Sequence, residues 1–182
     1  MSDTRTQLKH IATDQIRRRT LHAASFREMG KVADIKCSSV HYHFDNRDAL
    51  LLELMTDYEY VFFQQLDERC ADINSPSQRL QTLAQLFLES HAEQQQCLCL
   101  AFAAAGDETT PEHRDAVQQF LQRLEQWVID SLARAHLLVM PKPELARVIV
   151  SSLEGALLLD RQQAEPTRLQ AVSAWLKTIT RL

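Results

Sequence analysis

Apolar residues recur at intervals of three and four along most of the chain, which is the periodicity of an amphipathic α-helix. The first series, Leu8, Ile11, Ala12 and Ile16, predicts a helix from about residue 5 to about residue 19. Later stripes predict a helix of about 25 residues after Asn46, one beginning at Pro76, a short one over 96–105, a long one from Pro111 to about 135, and two final helices over about 143–162 and 165–181.

Residues 25–46 carry the signals of two much shorter helices. Ser25 and Glu28 form a capping-box pattern that begins a helix over 25–33. Asp34 tolerates the left-handed conformation and ends that helix, and a second one of no more than two turns follows over about 37–43. Asn46 caps the next helix. Two short helices joined by a three-residue turn have the layout of a helix-turn-helix, whose second helix enters the DNA major groove.

Composition supports an all-α fold of about nine helices. The 182 residues include 3 glycines and 5 prolines, where average usage gives about 13 and about 9. No apolar stretch approaches the roughly 20 residues that a membrane span needs. We therefore expect a soluble, cytoplasmic protein with no membrane segment. Cys37, Cys70, Cys97 and Cys99 are scattered, as expected in a reducing compartment.

Charge is unevenly distributed along the chain. Residues 1–50 hold nine Lys and Arg against six Asp and Glu, a net charge of +3, which leaves −7 for the remainder of a chain of net −4. A basic N-terminal module on an acidic body fits a head that binds a polyanion.

The pair His41 and His43 does not predict a metal site. In an α-helix these residues lie about 200° apart and cannot share one ion, and the pair Cys37 and His41 lacks a third ligand nearby. No Gly-rich phosphate loop, catalytic triad or paired carboxylates stand out, so we predict neither an enzyme nor a cofactor. Ile35, Val40 and Phe44 form the predicted buried side of the short helix. The opposite side is either an ordinary solvated face or a surface that reads DNA.

The segment "SFREMGKVADIKCSSVHYHFDNRDALL", with "LKHIATDQIRRRTLHAA" before it, resembles the N-terminal DNA-binding domain of TetR/AcrR-type transcriptional regulators over about residues 6–52. Farther along, "CLCLAFAAAGDE", "FLQRLEQWVIDSLARA" and "LEGALLL" resemble the LmrA/YxaF-type branch. The resemblance implies a three-helix DNA-binding domain over 1–50 and a helical ligand-binding and dimerisation domain over 51–182.

The resemblance also implies DNA contacts. Base-reading positions are Cys37, Ser38 and His41, and positions that hold phosphate are Ser39, Tyr42, His43 and Arg47. Ser25 and Arg27 fall where members contact the backbone and sometimes bases, and Lys36, on the outer face of the short helix, completes the predicted DNA contacts. The sequence departs from the family pattern at four places. His41 replaces the more common Tyr, Arg47 stands for Lys, and Thr20 and Asp34 occupy positions often given to Gly, so both turns are expected to sit slightly differently.

The C-terminal half carries two further predictions. Gly155 lies inside an apolar helix at a cost of about 1 kcal/mol relative to Ala, which indicates a close helix approach, either within the chain or between two copies. The predicted dimer interface is Val148, Ser152, Gly155, Ala156, Leu159, Val172, Trp175 and Leu176. Candidate effector contacts, residue types that more often serve as core packing, are Phe62, Phe63, Phe87, His91, Cys97, Cys99, Phe102, Phe120 and Trp127.

The sequence therefore predicts a dimeric, ligand-responsive regulator that acts as a repressor. Its expected partners are double-stranded DNA carrying a palindromic operator, a second copy of the chain, and a small, largely apolar effector that releases the DNA. Two alternatives stay open: a helical module that binds a small molecule without any DNA function, and a regulator that senses metal or oxidant through Cys97 and Cys99.

Overall fold

The structure is a computed structural model that describes residues 2–135, 138 and 140–179. In this part of the chain, all regular secondary structure is helical, which confirms the predicted all-α fold. The helices are α1 (Ser2–Arg18), α2 (Phe26–Val32), α3 (Cys37–His43), α4 (Arg47–Cys70), α5 (Pro76–Ala92), α6 (Leu98–Ala103), α7 (Pro111–Ser131), α8 (Lys142–Asp160) and α9 (Thr167–Ile179), with 3₁₀ turns at Leu21–Ala23 and Gly106–Glu108. No helix among these residues is both long and apolar enough to cross a membrane.

The predicted helix starts are confirmed wherever a capping side chain marks them. Asn46 Oδ1 accepts the N–H of Ala49 at 2.8 Å at the start of α4. Ser75 Oγ accepts the N–H of Gln78 at 3.4 Å, and Pro76 follows it as the first residue of α5. These residues satisfy backbone donors that the helix itself leaves unpaired.

Helix bounds predicted from apolar periodicity alone are less accurate. The first helix begins at Ser2, before residue 5, because its first turn is polar and carries no apolar signal. The long helix ends at Ser131, before residue 135, and continues as a tight turn in which Ala133 N–H donates to Asp130 O. Leu132 is buried in that turn, so its place in the pattern reflects burial and not helix. Residues 180 and 181 of the last predicted helix lie outside the described residues.

The chain forms two compact units, and the boundaries between them fall within α4, just before α6 and within α7. The first unit comprises the residues up to Tyr60 together with Cys97–Gln118; the second comprises Val61–Gln96 together with the residues from Gln119 onward. Segment 97–118 therefore belongs to the same unit as residues 1–60, and its helix α6 packs against α1, although the segment lies in the middle of the sequence. The predicted division into a DNA-binding domain over 1–50 and a ligand-binding and dimerisation domain over 51–182 differs from this division into compact units and stays a prediction.

In the first unit, side chains of α1 contact α4. Leu8, Ala12 and Ile16 form its buried stripe. On the rim of that stripe, Lys9 Nζ pairs with Asp57 Oδ2 at 2.5 Å, and the Arg17 guanidinium lies 5.3 Å from the centre of the Tyr58 ring. Apolar burial supplies the main stabilisation of this packing, and half-exposed ion pairs add little.

In the second unit, α5 packs against α8 and α9, and α8 packs against α9. A fully buried carboxylate organises the α8–α9 corner. Asp160 Oδ2 accepts the backbone N–H groups of Arg168 and Leu169 at 2.8 and 2.9 Å, and Asp160 Oδ1 accepts Arg168 Nη1 at 2.8 Å. His91 Nε2 donates to the carbonyls of Asp160 and Gln163 at 3.0 and 3.1 Å. The corner thus joins the ends of α5 and α8 to the start of α9.

Asp160→Asn tests this corner. Burial alone would raise the pKa of Asp160, but the N–H of Leu169 and the Arg168 guanidinium and N–H together hold that pKa below its usual value. A carboxyl with a lowered folded-state pKa stabilises the protein above its unfolded-state pKa, and the stabilisation is lost as pH falls through the folded value. At pH 7 we expect Asp160→Asn to lower the free energy of unfolding by about 2 kcal/mol.

The difference between wild type and Asp160→Asn should shrink as pH falls below about 4, measured by urea unfolding at a series of pH values. Asp67→Asn, at an exposed position of α4, is the control and should change little. A gap between wild type and Asp160→Asn that stays constant down to acid pH would contradict the assignment.

Candidate nucleic-acid interface

The turn between α2 and α3 is a Schellman motif. Asp34 has φ 54° and occupies the left-handed position that ends α2. Ile35 N–H donates to Gly30 O at 2.9 Å and Asp34 N–H to Lys31 O at 3.4 Å, which is the paired bonding of this motif. Asp34 therefore adopts the conformation that a glycine would adopt there. Thr20, at the other position often given to Gly, has extended backbone with φ −146° and needs no glycine.

Gly30 permits the close approach of α2 to the start of α3. A Cβ at this position would lie 2.9 Å from Ile35 O and 3.5 Å from Cys37 N. Reasoning from the sequence missed this residue. The available signal was a glycine inside a seven-residue helix, which costs about 1 kcal/mol unless it is needed.

The inner side of α3 is anchored as predicted by Val40 and Phe44, which are both buried. Phe26 of α2 packs against Phe44 with ring centres 6.2 Å apart. Ile35, predicted to join this buried side, is only half-buried because it lies in the turn before the helix.

The outer side of α3 carries the predicted DNA contacts. Lys36, Cys37, Ser38, His41 and Tyr42 are exposed, and the Tyr42 side chain is 73% exposed. The three predicted base-reading residues share this side, although the His41 ring also packs edge-on against Phe26 with centres 4.8 Å apart.

The remaining predicted contacts surround that face. Ser39 and His43 are half-buried, and Arg27 is exposed on α2. Ser25 Oγ accepts the N–H of Glu28 at 3.2 Å, as the capping pattern predicts, while the Glu28 carboxylate pairs with Lys31 at 2.6 Å. Within the described part of the chain, no three His, Cys, Asp or Glu side chains are grouped as a metal site.

Arg47 has an internal partner in addition to its predicted phosphate contact. Its Nη2 donates to Leu21 O at 2.6 Å, in the 3₁₀ turn after α1. A guanidinium has five N–H donors, so this bond leaves others for phosphate. Arg47 therefore holds the start of α4 against that turn.

Arg5 connects the end of α3 to α4, and the sequence alone gave no sign of it. Its Nη2 donates to both Glu53 oxygens at 2.5 and 2.7 Å, and its Nε donates to His43 O at 3.3 Å. The guanidinium lies 4.9 Å from the centre of the Phe44 ring. A cation at a helix C-terminus interacts favourably with the helix dipole, so Arg5 stabilises the end of α3 while it fixes that end to α4.

Comparison with known proteins identifies the family. Residues 76–175 match the model of the LmrA/YxaF-like transcriptional regulator C-terminal domain, TetR_C_13_2. The chain belongs to the TetR family. No curated protein sequence matches it. TetR-family proteins are transcriptional regulators and not enzymes, and they bind DNA and small-molecule effectors, typically as dimers.

Solved structures of TetR-family regulators share the fold over nearly the whole chain. A regulator from Legionella pneumophila superposes with a TM-score of 0.88 at 22% identity, covering 97% of this chain and 96% of its own. One from Agrobacterium tumefaciens gives 0.89 at 19% identity, covering 98% of each chain. The regulatory protein TetR from Rhodobacter sphaeroides gives 0.84 at 19% identity, covering 94% of this chain and 96% of its own.

The predicted dimer residues of this TetR-family chain fall into three groups: exposed, half-buried and buried. Val148 and Leu159 on α8 are 41% and 60% exposed, and the neighbouring Leu158 is 45% exposed. Ser152, Gly155, Val172 and Trp175 are half-buried, whereas Ala156 and Leu176 are buried and pack within the chain. A Cβ at Gly155 would meet nothing within 4 Å, so no neighbour in the described residues needs the glycine there.

The candidate effector contacts lie in both units. In the second, Phe62 packs against Phe120 and Phe87 with ring centres 5.3 and 6.5 Å apart, Phe63 packs against Phe120, and the Arg79 guanidinium lies 5.0 Å from the Trp127 ring centre. His91 is engaged at the α8–α9 corner. The first unit contains Cys97, Cys99 and Phe102, all buried; Tyr58 Oη donates to Cys97 Sγ at 3.6 Å.

Two substitutions test the turn that places α3. We expect Gly30→Ala to lower the free energy of unfolding by about 2 kcal/mol, because the new methyl group forces backbone atoms apart.

Asp34→Gly should raise the free energy of unfolding by up to about 1 kcal/mol, because glycine adopts the left-handed conformation without steric cost. Thermal and urea unfolding measure both. A stabilising Gly30→Ala would show that the turn has a different geometry.

Proposed function

We propose that this TetR-family protein is a dimeric, ligand-responsive repressor that binds a palindromic operator and is released from it by a small, largely apolar effector. The observation that carries the proposal is the two-sided character of α3. Its inner side is held by buried Val40 and Phe44, and its outer side presents Cys37, Ser38 and His41 to solvent. That arrangement suits a helix inserted into the major groove.

Base reading falls to the small and polar side chains of the outer side. Cys37 and Ser38 allow the helix to approach base edges closely, and Ser38 and His41 offer donors and acceptors to them. Contacts to the DNA backbone fall to the residues around them: Ser25, Arg27, Lys36, Ser39, Tyr42, His43 and Arg47. Such contacts fix the orientation of the protein and make affinity fall steeply with salt.

Dimerisation follows from the size of the reading helix and from the exposed face of α8. A helix of two turns reads only a few base pairs, so a specific site needs two of them, spaced about 34 Å apart on the duplex. Val148, Ser152, Gly155 and Leu159 follow one another at intervals of four, three and four and form one stripe of α8. Open space at Gly155 and the exposed leucines support a second copy as the neighbour of this stripe, with Val172 and Trp175 of α9 beside it.

Release requires an effector that binds one arrangement of the body better than the other. A differential binding free energy of about 1–3 kcal/mol lowers operator affinity about fivefold to 150-fold. The aromatic side chains of the second unit supply an apolar surface for such a molecule. The two cysteines proposed as a possible sensor are both buried, which limits the access of an oxidant or metal to them.

Variants of the outer side of α3 test DNA reading. Tyr42→Phe removes a phosphate donor and should weaken binding to all sequences alike by about fivefold. His41→Ala should instead change base preference at one position of each half-site, by about 1–3 kcal/mol. Footprinting on DNA upstream of the protein's own gene, followed by binding measurements over a range of salt, gives both results.

Arg47→Ala serves as a comparison in the same experiment. It should also weaken binding uniformly, but it should lower the melting temperature as well, because Arg47 bonds to Leu21 O. If wild-type protein shows no salt-sensitive binding to the upstream DNA, the alternative of a ligand-binding module without DNA function is favoured.

The exposed stripe of α8 is tested by Leu159→Glu. Two symmetric copies of this substitution would place carboxylates in an apolar interface, and we expect the dimer dissociation constant to rise more than about tenfold. Analytical ultracentrifugation over a concentration series measures this change. Val61→Glu, at an exposed apolar position of α4, is the matched control. Equal dimer strength in wild type and Leu159→Glu would refute this interface.

A further inference from the structure

A fully buried histidine that the DNA-binding assignment does not use lies in the first unit, at the start of α7. His113 has no solvent exposure, and Phe102 of α6 packs edge-on against its ring with centres 5.7 Å apart. Its backbone N–H donates to Thr110 Oγ1 at 3.3 Å, and its Nδ1 accepts the N–H of Thr110 at 3.1 Å. This is a reciprocal capping box in which histidine replaces the usual Glu or Gln.

The second ring nitrogen of His113, Nε2, contacts a residue outside α7. Nε2 lies 3.1 Å from Asp48 O, a carbonyl in the first turn of α4 and 65 residues away in sequence. A backbone N–H can only donate and a carbonyl can only accept. The imidazole is therefore neutral, with its proton on Nε2, and it joins the first turn of α7 to the first turn of α4.

That turn of α4 also connects to the helices that would contact DNA. Asn46 caps it through the N–H of Ala49, and Arg47 donates to Leu21 O. Phe44, the buried anchor of α3, lies three residues before the first residue of α4. A second contact runs alongside, because His22 Nε2 lies 2.7 Å from Glu108 Oε1. Segment 106–113 is thus bonded to both sides of the Arg47–Leu21 contact.

We propose that His113 is a positioning residue for DNA binding: its Nε2–H bond to Asp48 O fixes the first turn of α4 and, through it, the end of the reading helix α3. The proposal rests on the proposed function, because positioning matters only if α3 contacts DNA. If His113 only capped α7, it would need no atoms beyond its Nδ1 and its backbone N–H. The Nε2–H bond to α4 is the part of the arrangement that capping does not require.

Side-chain length separates these two roles. The amide of Asn reaches about as far as His Nδ1, and the amide of Gln about as far as Nε2, so His113→Asn keeps an acceptor for Thr110 N–H and loses the bond to Asp48 O. His113→Gln keeps a donor for Asp48 O. Thr110→Ala is the matched control, since it removes the hydroxyl cap from the same turn and leaves the imidazole bond in place.

The first measurement is hydrogen–deuterium exchange of the free proteins. We expect His113→Asn to speed exchange about tenfold in peptides that cover residues 44–54, because one hydrogen bond that restrains this turn is lost. His113→Gln and Thr110→Ala should match wild type in those peptides. Melting temperatures, recorded for each variant, show whether the proteins are folded under the conditions used.

The second measurement is the affinity of each variant for a labelled DNA fragment from upstream of the protein's own gene. His113→Asn should lose about fivefold to tenfold in affinity, with the salt dependence unchanged because no phosphate contact is removed. Equal exchange and affinity for His113→Asn and His113→Gln, or changes confined to the first turn of α7, would overturn the positioning role. Wild-type protein that binds no upstream DNA would refute the proposed function, and exchange in the free protein would still decide whether His113 fixes α4.

Discussion

The proposed reading helix α3 has too few residues to be stable by itself, and its neighbours in the first unit supply the contacts that order it. Isolated helices shorter than about 12–15 residues are marginal in water, and α3 has 7 residues. Its order comes from three external sources: burial of Val40 and Phe44, the close approach that Gly30 permits, and the Arg5 guanidinium at His43 O. Each acts at a different point along α3, and together they fix its direction as well as its position.

In α3, the residues that pack against the protein and the residues proposed to read DNA lie on opposite sides of the helix. Val40 and Phe44 lie one turn apart on the buried side, and the residues that face solvent carry little of the packing. Arg47 combines a predicted phosphate contact with an internal task, because its guanidinium also donates to Leu21 O. A guanidinium can combine these tasks where a lysine ammonium could not reach both with defined geometry. This is a structural reason for arginine at a position where the resemblance to TetR/AcrR-type regulators led us to expect lysine.

Local signals in the sequence predicted most of the helix starts, the all-α fold and the helix-turn-helix. Ser25, Asn46 and Ser75 act on backbone groups three residues away, so a short window of sequence contains both partners. The contacts that hold the site together were not predictable in this way. Arg5 and Glu53 are 48 residues apart and His113 and Asp48 are 65 apart, and no spacing rule links such pairs. The membership of segment 97–118 in the first unit was hidden for the same reason, because it depends on tertiary packing.

The exposure of Cys37 and Ser38 has a consequence for how such a regulator diversifies. Substitutions at exposed positions away from caps and buried contacts typically change stability by no more than about 0.5 kcal/mol. If Cys37 and Ser38 read bases as proposed, a duplicated gene can accumulate changes at these two residues and acquire a new target site while the protein stays folded. The framework residues beneath them, Gly30 above all, lack that freedom. In such a lineage, the substitutions that change the DNA target would be concentrated on the exposed side of α3.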